Sequence, residues 1–181
     1  MQKIHMHKTE TEASQLIKNN RKAIEEMRER ISKYEKEELP ARIVNMECER
    51  AVFNVGTIAL LKKLVQSDFT ARERDELSRV FKERASLLIE VDKKIVKGLE
   101  ELKGEQLREY MKLSGVVLTE LNPEEFVKNR VARMRKEVGE FEKLVDTFDK
   151  ISQTARELDE IHSVQITLNQ FKRMIEKKKF D

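Results

Sequence analysis

The chain has no tryptophan, one cysteine, two prolines and five glycines among 181 residues, and aromatic side chains make up only 6%. Each scarcity removes something. The single cysteine, Cys48, allows no intramolecular disulfide and no Cys-x-x-Cys pair, which fits a reducing compartment. So few glycines and prolines leave little turn chemistry, which points to an all-α chain. A Gly-rich phosphate loop and a Gly-x-Ser-x-Gly elbow are also missing. No enzymatic activity and no cofactor are therefore expected. Long apolar runs are scarce as well: the uncharged stretch from Ala51 to Leu61 is too short for a bilayer, which needs about 20 apolar residues. The opening Met1 to Lys8 carries no apolar segment of the signal-peptide kind. A soluble, cytoplasmic protein without membrane association is the expectation.

What is abundant is charge, at 39% of residues. Ala, Glu, Lys, Leu and Arg together make up roughly half the chain, the level of long helices and coiled coils. The 37 basic residues nearly cancel the 34 acidic ones, leaving a net charge of +3. Opposite charges are interleaved along the whole chain, so most of them read as solvated helix faces supported by i, i+4 pairs. A polyanion partner is weakly indicated at best.

The uncharged run organises the rest. A helix apolar on nearly every side belongs inside a bundle, whereas one with a single stripe belongs outside, so residues 41–66 are expected to form a central helix. Ahead of it, Thr9-x-x-Glu12 reads as a capping box that starts helix one. Its apolar residues Ile17, Ile24, Met27, Ile31 and Tyr34 then recur at heptad steps, with Asn20 as the polar member of the seam. Asn20 reads as a solvated residue near the helix end, or else as a buried register-setting one. Pro40 ends helix one and suits the first turn of helix two, so the two form an antiparallel hairpin. Gly56, inside helix two, marks either a close helix crossing or a tolerated defect.

Thr70-x-x-Glu73 repeats the capping box, and helix three runs from about Ala71 to Lys103-Gly104. A short helix over 105–113 follows, ended by Ser114-Gly115. The linker 114–122 holds the one segment that could be extended. Asn122-Pro123-Glu124-Glu125 then combines an N-cap, a first-turn proline and two acids at the positive end of the helix dipole. From there no proline interrupts the chain up to about Lys179. Val127, Val131, Met134, Val138, Phe141, Val145 and Phe148 keep a strict 4-3 alternation, after which the phase drifts, so that the helix either breaks near 152–154 or runs on unbroken. The predicted architecture is all-α: a flexible tail over 1–8, then one elongated antiparallel bundle of four to five helices over 9–181, with a long coiled-coil-like C-terminal helix. A sub-boundary at 114–122 is the alternative.

Candidate functional residues are few. Asp159-x-x-His162 resembles half of a carboxylate-bridged metal site, but the second motif such a bundle needs is missing. His162 therefore reads as structural or surface, and His5 and His7 as part of a loose tail. Lys128, Arg130, Arg133, Arg135 and Lys136 form the densest basic patch, yet single-strand recognition usually adds aromatic platforms that are absent here. The preferred reading is a non-enzymatic scaffold or adaptor that binds a protein partner or itself through Val127, Val131, Met134, Val138 and Phe141. A nucleic-acid-associated protein using the basic patch is the runner-up, and a metal-dependent bundle enzyme comes third.

Overall fold

A computed structural model describes residues 10–116 and 122–158, with residues 151–158 described as backbone. All described secondary structure is helical: α1 (Glu12–Tyr34), α2 (Leu39–Gln66), α3 (Ala71–Glu101), α4 (Glu105–Leu113) and α5 (Pro123–Leu158). Helices of this length and phase follow from the apolar spacing, and most of their ends follow from caps. At Thr70 both halves of the capping box form, with Glu73 N–H donating to the Thr70 hydroxyl at 3.2 Å and Thr70 N–H donating to the Glu73 carboxylate at 2.9 Å. Asn122 accepts from Glu124 N–H at 3.0 Å, which starts α5 at Pro123 as expected. The α1 cap lies two residues beyond the expected one. Thr11 accepts from Ser14 N–H at 3.2 Å, which makes it the N-cap of a helix that begins at Glu12.

Cross-helix pairs fix the directions. Lys63 meets Glu12 and Arg30 meets Glu49, so α1 and α2 are antiparallel. Arg50 meets Asp92 while Arg84 reaches Thr57, so α2 and α3 are antiparallel too. Lys82–Asp149 and Lys93–Glu142 set α5 antiparallel to α3, and Phe81 packs on Phe148 with ring centroids 5.0 Å apart. The short α4 sits on α2 and α5. It begins after Gly104, whose φ of +56° reverses the chain in a region that residues with a Cβ disfavour.

The helix at the centre is α3, not α2. It packs against α1, α2 and α5 and is buried through most of its length, with Leu77, Val80, Ala85, Val91 and Ile95 each at 0% exposure. Each large aliphatic side chain withdrawn from water in this way contributes about 1.5–3 kcal/mol before the entropy of ordering is subtracted. By contrast, α2 buries Ile43, Met46, Phe53, Leu60 and Leu64 inward but leaves Val52 at 71% and Val55 at 69% exposure. A helix that is apolar all round need not be enclosed all round. The partner of its second face can lie outside the chain.

Of the two alternatives near 152–154 the structure takes the unbroken one, since α5 is one helix from Pro123 through Leu158. A drift from a 3.5 to a 3.6 period needs no interruption of the helix. Of the linker stretch 115–121, the one place for an extended segment, only Gly115 and Val116 are described, and the motif around Asp159 and His162 falls outside the described residues, as do His5 and His7.

Candidate protein-interaction face

Two interleaved heptad patterns run along α2 on opposite sides. The inner one, Ile43, Met46, Phe53, Thr57, Leu60 and Leu64, is buried against α1 and α3. The outer one consists of Ala41, Val44, Cys48, Ala51, Val55, Ile58 and Lys62, with Val52 and Ala59 on its flank. On this face Cys48, Ala51, Val52, Val55 and Ala59 are exposed, and Ala41, Val44, Ile58 and Lys62 are half-buried. Lys62 is its only charge. From Ala41 to Lys62 the face is about 32 Å long at 1.5 Å per residue. Isolated exposed aliphatics are ordinary, whereas a contiguous apolar stripe makes this face a candidate for a binding surface.

Behind this face α2 is anchored by two polar sites. In the first, Arg84 of α3 is 3% exposed and reaches three neutral acceptors. Its Nε donates to the Thr57 hydroxyl at 2.9 Å, Nη1 to Asn20 Oδ1 at 3.1 Å and Nη2 to the Phe53 carbonyl at 2.7 Å. The guanidinium also stacks 3.9 Å from the centre of the Phe53 ring. Burial pulls its pKa down to about 10, which leaves it a cation at neutral pH. Gly56 explains how it fits, because a Cβ there would stand 2.6 Å from Nη2. Asn20 is therefore the buried register residue rather than a solvated one. It donates to the Leu16 carbonyl at 2.8 Å while accepting from Arg84.

The second site joins α2 to α3, α4 and α5. Arg50 forms a two-point bond to Asp92 at 2.8 and 3.1 Å and reaches Glu137 at 3.4 Å. Alongside, Glu47 accepts from Arg130 at 2.6 Å and from the Tyr110 hydroxyl at 3.1 Å. Burial lifts the Asp92 carboxyl above its ordinary value although Arg50 draws it down, and burial pushes the Tyr110 phenol up to about 12. These groups are packed together as fasteners.

The residues singled out in the sequence fall elsewhere. Val127, Val131, Met134 and Val138 are each 7% exposed and Phe141 is half-buried, all on the α5 seam that packs against α3. That seam is used inside the fold. Within the basic patch, Arg130 pairs with Glu47, Arg133 with Glu137 and Arg135 with Glu100, while Lys128 and Lys136 extend into solvent. Among the described residues no group of three or more His, Cys, Asp or Glu side chains could hold a metal ion. No described helix is long and apolar enough to cross a membrane. A shallow groove between α1 and α3, lined by Ser14, Lys18, Arg21, Lys22, Glu25 and Glu76, mixes both signs of charge on an open surface.

Sequence reasoning missed the outer face of α2, although its signal was present. The absence of charge from 51 to 61 read as burial on all sides, whereas two heptads on opposite faces account for the same residues. Comparisons of the chain with protein-family models, curated proteins and solved structures returned no match.

Proposed function

We propose that this chain is a non-enzymatic helical-bundle protein whose job is to bind protein, acting as a scaffold or adaptor through the outer face of α2. The observation that carries this reading is the exposure of Val52 and Val55, at 71% and 69%, in the middle of an apolar stripe that no described helix covers. With the α5 seam buried, this is the long apolar surface available to a helix among the described residues. A cytoplasmic setting suits it, since exposed Cys48 lies on the same face and remains a thiol where disulfides are reduced.

The test is a tagged pull-down from the native organism with wild-type protein and with Val52→Glu/Val55→Glu, each with and without nuclease. Both substitutions lie on exposed positions, so circular dichroism should be unchanged. Partners, including the chain itself, that resist nuclease and are lost from the double variant support the reading. Material that is lost with nuclease and whose binding falls steeply with salt would replace it with the nucleic-acid reading through Lys128 and Lys136.

A further inference from the structure

We infer that the occupant of the outer α2 face is the same face of a second copy of this chain, the two helices running antiparallel about a two-fold axis between residues 49 and 50. This rests on the protein-binding reading above and names its partner. The outer residues occupy alternate a and d positions of three heptads, with Ala41, Cys48, Val55 and Lys62 at one and Val44, Ala51 and Ile58 at the other. In an antiparallel pair each a residue faces a d residue of the other helix. Placing the axis between 49 and 50 sets Cys48 against Ala51, Val44 against Val55 and Ala41 against Ile58, each twice. Small residues meet at the centre, where backbones approach closely. Larger ones lie further out, and small faces large at Ala41 and Ile58, as interdigitating layers require.

The ends decide the direction. Beyond the apolar layers, this register sets the end of α2 that carries Lys62 beside the α1–α2 turn of the other copy, in which Glu37 lies two residues ahead of Leu39. The Glu37 carboxylate is held beside the start of the face by Asn45, which donates to it at 2.6 Å, and Glu38 next to it is exposed. Acid therefore meets base at both ends of an antiparallel pair. A parallel pair would set Lys62 against Lys62 and Glu37 against Glu37. The two-fold relation makes the contact self-complementary and closed, so it yields a dimer and no fibre. Electrostatics of this kind choose orientation and register more than they add affinity, and the aliphatic layers supply the affinity.

Sedimentation of the full-length protein should show a concentration-dependent dimer, weakened about a hundredfold or more by Val55→Glu, which places a carboxylate in the apolar layers. Glu37→Lys and Lys62→Glu should each weaken the dimer, and the two together should restore it. Within one chain these residues lie at opposite ends of α2, so rescue requires two copies. Direction is read by cross-linking in a Cys48→Ser background. Val44→Cys protein mixed with Val55→Cys protein should form disulfide-linked dimers on mild oxidation, and neither alone should do so. Each alone cross-linking would indicate parallel helices and overturn the register. A protein that stays monomeric at every concentration, or a dimer indifferent to Val55→Glu, would overturn the second copy as occupant. If a different protein is then captured in a Val55-dependent manner, the protein-binding reading stands without this inference. If nothing is captured, both fall.

Discussion

Arg84 and Arg50 are both arginines withdrawn from water beside α2, and they are satisfied in opposite ways. Arg50 meets carboxylates, Asp92 at 2.8 Å and Glu137 at 3.4 Å, and it remains partly wet. Arg84 meets only a hydroxyl, an amide oxygen and a backbone carbonyl. Their electrostatics differ accordingly: burial lowers the Arg84 pKa to about 10, whereas for Arg50 the pull of Asp92 and Glu137 overcomes burial and raises it. An ion pair tolerates some displacement, because its attraction falls slowly with distance. Neutral acceptors hold a cation only through hydrogen bonds of good geometry, so the Arg84 site depends on several positions at once. Asn20, Phe53, Gly56 and Thr57, on two helices, all shape one guanidinium.

The largest way to break the contrast is Arg84→Ala. It removes the stem from the core and leaves Asn20 and Thr57 without their charged partner, so a loss of about 3–5 kcal/mol is expected in urea unfolding. Arg84→Met keeps most of the volume without the charge and should cost much less, under about 2 kcal/mol, because no buried cation then needs satisfying. Equal losses in the two variants would show that the hydrogen bonds, rather than the packed stem, hold the site. At the other site Asp92→Asn keeps shape and removes the counter-charge. Arg50 retains Glu137 and some water, so about 2–3 kcal/mol is expected, and Arg50→Met in the same background should recover part of it. Asp92→Asn behaving like wild type would reduce the ion pair to a surface-grade contact.

A smaller effect carries a change of sign. In the wild-type chain Gly56→Ala puts a Cβ 2.6 Å from Arg84 Nη2, and moving the guanidinium off its acceptors should cost about 1–2 kcal/mol. With Arg84→Met in place the clash is relieved, and the helix propensity of alanine over glycine should make the same substitution neutral or stabilising by up to about 1 kcal/mol. A cycle of the four proteins measures this coupling directly. Additivity would separate Gly56 from Arg84.

Both sites also show what a sequence of this composition makes legible. Helix positions are written in local chemistry, so Thr70-x-x-Glu73, the 105–113 helix and Asn122-Pro123 were readable as element ends. Apolar periodicity likewise gave the all-α class and the α5 seam. It could not give the neighbour of each face. Val127 through Val138 form the best heptad run and pack inside on α3, while the uncharged α2 run is half outside. Periodicity measures how apolar a face is and carries no record of which surface covers it. Arg84 was invisible for a related reason: among 37 basic residues, one that falls on the inward side of α3 differs from the rest only by its partners 27 and 64 positions away. Asn20 and Gly56 were each noticed alone. Their connection passes through that arginine.

The smallest effect at neutral pH separates the two sites again at high pH. Tyr110 donates to Glu47, and Tyr110→Phe should cost about 1 kcal/mol at pH 8. Burial, with the charge of Glu47, raises its pKa from 10.0 to about 12. The folded protein therefore holds the phenol proton more tightly than the unfolded chain does. That contribution is complete below pH 10 and is lost as pH rises from 10 towards 12. The Arg84 shift has the opposite sign. Burial pulls its folded pKa down to about 10, below that of a guanidinium in water, so the unfolded chain binds that proton more tightly and folding is favoured increasingly above pH 10. Urea unfolding of wild type, Tyr110→Phe and Arg84→Met at pH 8, 10 and 11.5 resolves the two. The advantage of wild type over Tyr110→Phe should shrink with pH, whereas its advantage over Arg84→Met should grow. Parallel curves for wild type and Tyr110→Phe would mean that the phenol titrates as it does in water and that the α4 end of the bundle is open to solvent.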